Sequence, residues 1–377
     1  MEFVKPGTYV DFMRHRRPVI LVSLLLVGAS IGSVFYPGPK YGIDFAGGTE
    51  LQLQFGGDIT GGEIRQALEG LGYERPDVVA VEDTPNEFIV RVQEVSAIDD
   101  ARKAQAEEAV RAALGDVEIR QMEFSPGGDK VTFTFSAAAD PEALGGALEG
   151  AGLGVRSVSQ FGKAEDNRYE AFLIGVADEI VQKLDEQLGE RGPDAPRRAE
   201  WVGPKAGAQL RDAAIKAMLY AIAFIMVYVA FRFDLRFAPG GVLALLHDAI
   251  LTVGVYVLVQ KEVNLTTVAA LLTIVGYSIN DTIVVFDRIR ENMGRLRDKS
   301  LTELINISTS QMLSRTIVTS GTTLLSVSAF FIWGTAVIQD IAFALFIGIL
   351  VGTYSSIYIA APTTEWMDRR FFSKNKR

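Results

Sequence analysis

Asp281 stands in the run VGYSINDTIVVFDRIREN (275–292), directly after Asn280, with apolar residues on both sides. An ionised aspartate near the middle of a membrane span costs about 2.5–3.5 kcal/mol on insertion scales, and such groups mark ion and proton paths. Arg315 opens a later apolar run and either reaches Asp281 or snorkels to the headgroups. Arginine keeps its proton at any relevant pH, whereas a carboxylate changes state with desolvation and nearby charge. A carboxylate whose cation approaches and withdraws carries protons; one whose cation is fixed sets helix register. Asn280 either bonds across helices or holds water. His247 and Asp248 lie inside a third apolar run, LLHDAI. Adjacent residues point about 100° apart on a helix, so the two need not share a role. They form either a second titratable site, since histidine changes charge near neutrality, or a hydrogen-bonded packing pair. Asp287, Arg288, Arg290 and Glu291 read as a charged helix exit.

These residues need elements that cross a bilayer, which takes about 20 apolar residues each. The 377 residues are 49% hydrophobic and 22% charged, and the apolar ones are bunched. Six spans are expected, at 18–36, 211–232, 238–260, 265–287, 315–338 and 340–363. An N-terminal segment (1–17), a domain at 37–210, a surface connecting helix at 288–314 and a tail at 364–377 complete the chain. The basic run before the first span resembles the start of a signal peptide. Its 19-residue apolar stretch and the lack of an A-x-A site point instead to an uncleaved anchor. Pairs of small residues, Gly28 with Gly32 and Gly348 with Gly352, permit close helix contact.

Orientation follows basic residues. Arg14, Arg16, Arg17, Arg232, Arg236, Arg288, Arg290, Arg295, Arg297, Lys299, Arg369, Arg370, Lys374, Lys376 and Arg377 share one side if both termini are cytoplasmic. The 37–210 domain is then periplasmic. From 40 to 205 there are 32 acidic and 17 basic residues, a net −15, against −9 for the chain. An acidic outer domain argues against nucleic acid as a partner. With no cysteine there are no disulfides, thiolate metal sites or cysteine nucleophiles. No catalytic triad, phosphate-binding glycine loop or metal-ligand cluster is present, so neither enzyme activity nor a cofactor is expected.

The outer domain alternates short strands with amphipathic helices in the order β-α-β-β-α-β, the split unit of a ferredoxin-like sandwich. The order then recurs. ALEG stands at 67–70 and 147–150, QLQF at 52–55 answers TFTF at 132–135, and RQMEFSP answers RRAEWVGP. Two copies are expected, at 41–126 and 130–205. Whether they form two sandwiches or one sheet is open at this level.

YGIDFAGGTELQL (41–53), WVGPKAGAQL (201–210), LLHDAI, VGYSINDTIVVFDRIREN and SRTIVTSGTTLL (314–325) resemble, in this order, blocks of the SecD/SecF family of protein-export membrane proteins. The resemblance implies an α-helical membrane protein with six helices of resistance-nodulation-division (RND) type and an α+β outer domain. It implies a SecD-type partner half, the SecY-E-G channel, a YajC-like small subunit and a translocating preprotein as partners. Preprotein movement across the bacterial inner membrane would be driven by protons. Asp281 and Arg315 fall on positions tied to proton passage in that family. The family's outer domain is a single small sandwich, so the doubled length here departs from the pattern, with the extra piece expected between Phe124 and Arg197. A non-conducting scaffold of the export channel and half of an RND-type lipid or small-molecule exporter are the rivals. Proton flux with the partner present separates the first; the small outer domain disfavours the second.

Overall fold

The computed structural model describes residues 8–81, 84–94, 98, 100–115, 117–125 and 127–372. The two ends expected to be cytoplasmic therefore lie outside it at 1–7 and 373–377. So do Lys374, Lys376 and Arg377 of the orientation argument. The chain divides into two compact units, one made of the segment ending at Gly42 together with the segment from Asp212, the other running from Ile43 to Arg211.

The first unit begins with a short turn (Phe12–His15), helix α1 (Arg16–Phe35) and strand β1 (Lys40–Tyr41). The second unit follows, with α2 (Ile43–Ala46), β2 (Gly48–Gln54), α3 (Gly61–Gly70), β3 (Asp77–Ala80), β4 (Glu87–Val92), α4 (Asp100–Leu114), β5 (Ile119–Phe124), β6 (Lys130–Phe135), α5 (Pro141–Gly150), β7 (Val155–Gln160), β8 (Arg168–Leu173), α6 (Val176–Leu188) and β9 (Arg198–Val202). Local chemistry starts the helices. Thr60 caps α3 reciprocally with Glu63, and Asp140 caps α5 ahead of Pro141. Thr60 bonds also hold the Glu63 carboxyl below its usual range.

The strands form two four-stranded antiparallel sheets, in the orders β3-β4-β2-β9 and β5-β6-β8-β7. Each has the strand order of a ferredoxin-like unit, but neither follows the boundary between the expected copies. Strand β9, from the second stretch, pairs with β2, and β5, from the first stretch, pairs with β6. Side-chain packing agrees. Leu51, Leu53, Ile64, Leu68 and Val90 are buried with Ile180 and Leu184 of α6. Val131, Phe133, Phe135, Leu144 and Leu148 are buried with Ala106 and Val110 of α4. Each sandwich is completed by the helix–strand tail of the other stretch. The piece inserted into the first sandwich therefore lies between Val92 and Val176, rather than between Phe124 and Arg197. Tyr73, packed on the first core, is pushed up to about 12 by burial and by the carboxylates of Glu179 and Glu94.

Helix α7 (Pro204–Arg232) starts in the second unit and enters the first at Asp212, where α8 (Ala238–Leu258), β10 (Glu262–Val263), α9 (Leu265–Arg295), α10 (Leu301–Trp333), α11 (Ala336–Ser355) and α12 (Ala361–Met367) follow. Among the described residues six helical stretches are long and apolar enough to cross a membrane. The connecting helix expected at 288–314 is not a separate surface element. Helix α9 continues to Arg295, and α10 starts afresh at Leu301 behind a Ser300–Glu303 capping box. Ile305, Asn306, Ser308 and Thr309 are then buried rather than exposed. A wide helical turn at Ser356–Ala360 joins α11 to α12. Pro362 follows it and lacks the N–H that a regular helix would donate there.

One end of this unit is a charge knot. Buried Glu365 accepts from Arg16, from Thr302 Oγ1 at 2.5 Å and from Arg369 at 2.6 Å. Arg236 pairs with Asp234 and Asp368, each at 3.0 Å. The other end is closed by β1 pairing with β10 and by Lys261 on Asp340 at 2.6 Å.

Candidate functional site

Helix α8 brings His247 and Asp248 into the bundle together, both buried. They share one network, contrary to the freedom their 100° separation allows. Imidazole Nδ1 lies 2.9 Å from Asp248 Oδ1. Nε2 lies 3.0 Å from the Tyr354 hydroxyl on α11 and 3.3 Å from Ser23 Oγ on α1. The other Asp248 oxygen, Oδ2, accepts from Ser278 Oγ of α9 at 2.5 Å and Ser355 Oγ of α11 at 2.8 Å. Four helices meet on two adjacent residues, and every polar atom of the pair has a partner. Because α1 supplies Ser23, the first span is a working part of the bundle.

Asp281 sits one turn along α9 from Ser278, 5% exposed. Its surroundings are poorer. Oδ2 accepts from Ser320 Oγ of α10 at 3.2 Å, and Ser320 in turn accepts from Thr353 Oγ1 of α11 at 3.0 Å. Arg315 is exposed on α10 and makes no ion pair with Asp281 among the described residues. Neither branch of the expected Asp281–Arg315 alternatives is therefore a fixed contact. Asn280, about 100° around α9 from Asp281, is exposed and does not join the Asp281 cluster. Thr282, next along the chain, is buried and its hydroxyl has no partner.

Two acid centres thus lie side by side, linked at Ser278 and Asp281 on α9 and at Thr353 and Ser355 on α11. The close approach that links them comes from glycine. A Cβ on Gly352 would stand 3.0 Å from Ser278 Oγ and 3.4 Å from Asp248 Oδ2, and one on Gly348 would stand 2.5 Å from Ile274. The other small pair behaves differently. A Cβ on Gly28 or Gly32 would meet nothing, and α1 instead lays Ser30 on Gly254 of α8. Sequence reasoning missed Ser23, Ser278, Ser320, Thr353, Tyr354 and Ser355. Hydroxyls are common in spans and usually bond their own helix, as Thr322 does to Val318.

In the other unit, the Gly47–Gly48 pair has φ +78° and +124°. A Cβ on Gly47 would lie 2.9 Å from Pro204 Cα, and one on Gly48 2.4 Å from the Val92 carbonyl oxygen. The turn into β2 therefore admits only glycine at both positions.

Six apolar helices with buried acids, and an α+β domain between the first and second, define a multi-pass α-helical membrane protein. The chain belongs to the SecD/SecF family of protein export membrane proteins. Residues 185–370 match the family described as "Protein export membrane protein SecD/SecF, C-terminal", and residues 33–59 match the "SecD/SecF GG Motif", which holds Gly47 and Gly48. The chain is 36% identical to the protein translocase subunit SecF of Magnetococcus marinus, over 98% of this chain and 95% of that protein. It is 42% identical to the protein translocase subunit SecDF of Thermus thermophilus, over 96% of this chain and 39% of that one. The crystal structure of that organism's SecDF, described as a translocon-associated membrane protein, superposes with a TM-score of 0.65 at 32% identity. It covers 97% of this chain, which spans 39% of the SecDF chain.

Proposed function

We propose that this chain is the SecF-type subunit of a protein translocase and that it works with a SecD-type half. In the SecDF relative, a homologue of this chain is fused into a longer chain, which supports that partnership. The SecY-E-G channel, a YajC-like subunit and the moving preprotein complete the proposed assembly. The basic end, with Arg16, Arg236 and Arg369, faces the cytoplasm of a bacterial inner membrane. The Ile43–Arg211 unit faces the periplasm.

The observation that carries the mechanism is the contrast between the two buried acids. A buried carboxylate with one hydroxyl donor and no ion-paired cation is costly to keep ionised, and a proton relieves that cost. Asp281 is therefore the proton carrier. Ser320 and Thr353 relay to α11, and Arg315 responds to the charge through space. The His247–Asp248 network holds α1, α8, α9 and α11 in register around it. One charge crossing 100 mV is worth about 2.3 kcal/mol, enough to bias two helix arrangements of comparable energy.

Asp281→Asn keeps the shape and the Ser320 contact but cannot cycle a proton. With the partner half present, preprotein release in vesicles with an imposed proton gradient should fall to the level seen without one. Co-purification with the partner should be unchanged. Undiminished gradient-dependent release would refute the carrier role and leave a non-conducting scaffold.

A further inference from the structure

At the basic end a cavity of about 450 Å³ opens where α9 ends and α10 begins. Its walls divide by chemistry. Leu296, Leu304 and Phe372 are apolar, while Arg236, Arg297 and Lys299 are cationic. Leu304 is 5% exposed and forms part of the packed floor. Arg236 is pinned by Asp234 and Asp368 and lies over the Phe372 ring at 5.4 Å, which fixes one side. The acid on the wall, Asp368, is ion-paired with Arg236, which it shares with Asp234. The other two cations are exposed. Among the described residues Arg297 donates to the Gly294 carbonyl at 3.3 Å and makes no ion pair. Lys299 pairs with Glu303 Oε1 at 3.6 Å, the oxygen that the Ser300 amide and hydroxyl leave free, in an exposed ion pair of the weak kind that a phosphate can displace. Nearby Trp366 and Phe371 are exposed and packed edge to face, 6.1 Å apart. Exposed aromatic rings beside basic residues at the ends of spans mark the membrane–water boundary.

A ligand that suits this cavity is anionic at one end, to meet Arg297 and Lys299, and apolar at the other, to cover Leu296 and Leu304. We propose that it binds an anionic phospholipid, with the phosphate between Arg297 and Lys299 and an acyl chain over the apolar wall. The lipid would brace the 296–300 break and so the mouth of α10, the helix that carries Ser320 and Arg315. Basic cavities between membrane helices take anionic headgroups in this manner. The inference does not depend on which side of the membrane this end faces.

The test uses the full chain in detergent, titrated with phosphatidylglycerol, phosphatidylcholine or glycerol 3-phosphate and read by native mass spectrometry. The unaltered protein should retain phosphatidylglycerol at least tenfold better than phosphatidylcholine, and glycerol 3-phosphate should not displace it. Removing two charges in Arg297→Gln/Lys299→Gln should weaken phosphatidylglycerol binding about thirtyfold. Equal retention of both lipids, or an unaltered double variant, would overturn the proposal. Displacement by glycerol 3-phosphate would reassign the site to a soluble phosphate and overturn it too. Should the double variant not fold, a photoreactive phosphatidylglycerol on the unaltered chain decides the matter. Adducts must map to 293–304 or Phe372, and adducts elsewhere reject the site.

Discussion

Asp248 and Asp281 carry the same group on neighbouring helices, yet their surroundings differ, and in the proposed mechanism they have different tasks. Asp248 has a histidine and two serine hydroxyls on its two oxygens; Asp281 has one serine. Truncating Asp248 to alanine leaves His247, Ser278 and Ser355 without their acceptor in a dry site. That should cost on the order of 3 kcal/mol and lower the melting temperature of the purified protein. Asp281→Asn strands nothing and should melt like the unaltered chain while losing gradient-driven transport. The pair of variants separates a structural acid from a functional one in the same preparation. His247→Gln should fall between them, since an amide replaces some but not all of the contacts to Tyr354 and Ser23.

At the scale of elements, the acid centres depend on how near α11 comes to α9. Gly348 meets Ile274, which is buried and β-branched, so its side chain has little room to yield. Gly348→Ala should therefore cost about 1–3 kcal/mol through overpacking and pull Thr353 away from Ser320. Gly28→Ala, on the open face of α1, should cost almost nothing by the same melting measurement, although the two glycines look alike in sequence. The wide turn at Ser356–Ala360 works with a third glycine. A Cβ on Gly240 would stand 2.5 Å from the Ala360 carbonyl oxygen, so α8 lies directly against that turn.

At the scale of the molecule, the exchange of tails in the Ile43–Arg211 unit decides what can be removed. Excising 95–174 takes out a whole sandwich and leaves β2, α3, β3, β4, α6 and β9 able to close the other. Excising 127–197, the cut that a simple tandem would suggest, deletes Val176, Ile180 and Leu184 from the remaining core. Each is worth about 1.5–3 kcal/mol of burial. The first deletion should give a protease-resistant domain at near-normal membrane levels. The second should be degraded, by limited proteolysis and immunoblot of membranes.

Much of this organisation was legible in the sequence. The six spans, the basic residues at their ends and the buried acids Asp248 and Asp281 follow from the sequence, because a bilayer admits long apolar runs and penalises charge within them. The span boundaries around 288–314 misled, because buried Ile305 and Asn306 alternate with polar residues as a surface helix would.

What the sequence determined by itself was the class of chain, its orientation signal and the position of its unusual acid, since each rests on transfer energies that act residue by residue. The tertiary structure alone decided that Asp248 is satisfied and Asp281 is not, that Arg315 stands apart, and which tail completes which sandwich. Those outcomes depend on which helix faces and sheet edges meet, and strands of alike pattern and interchangeable hydroxyls carry no local signal of their partners.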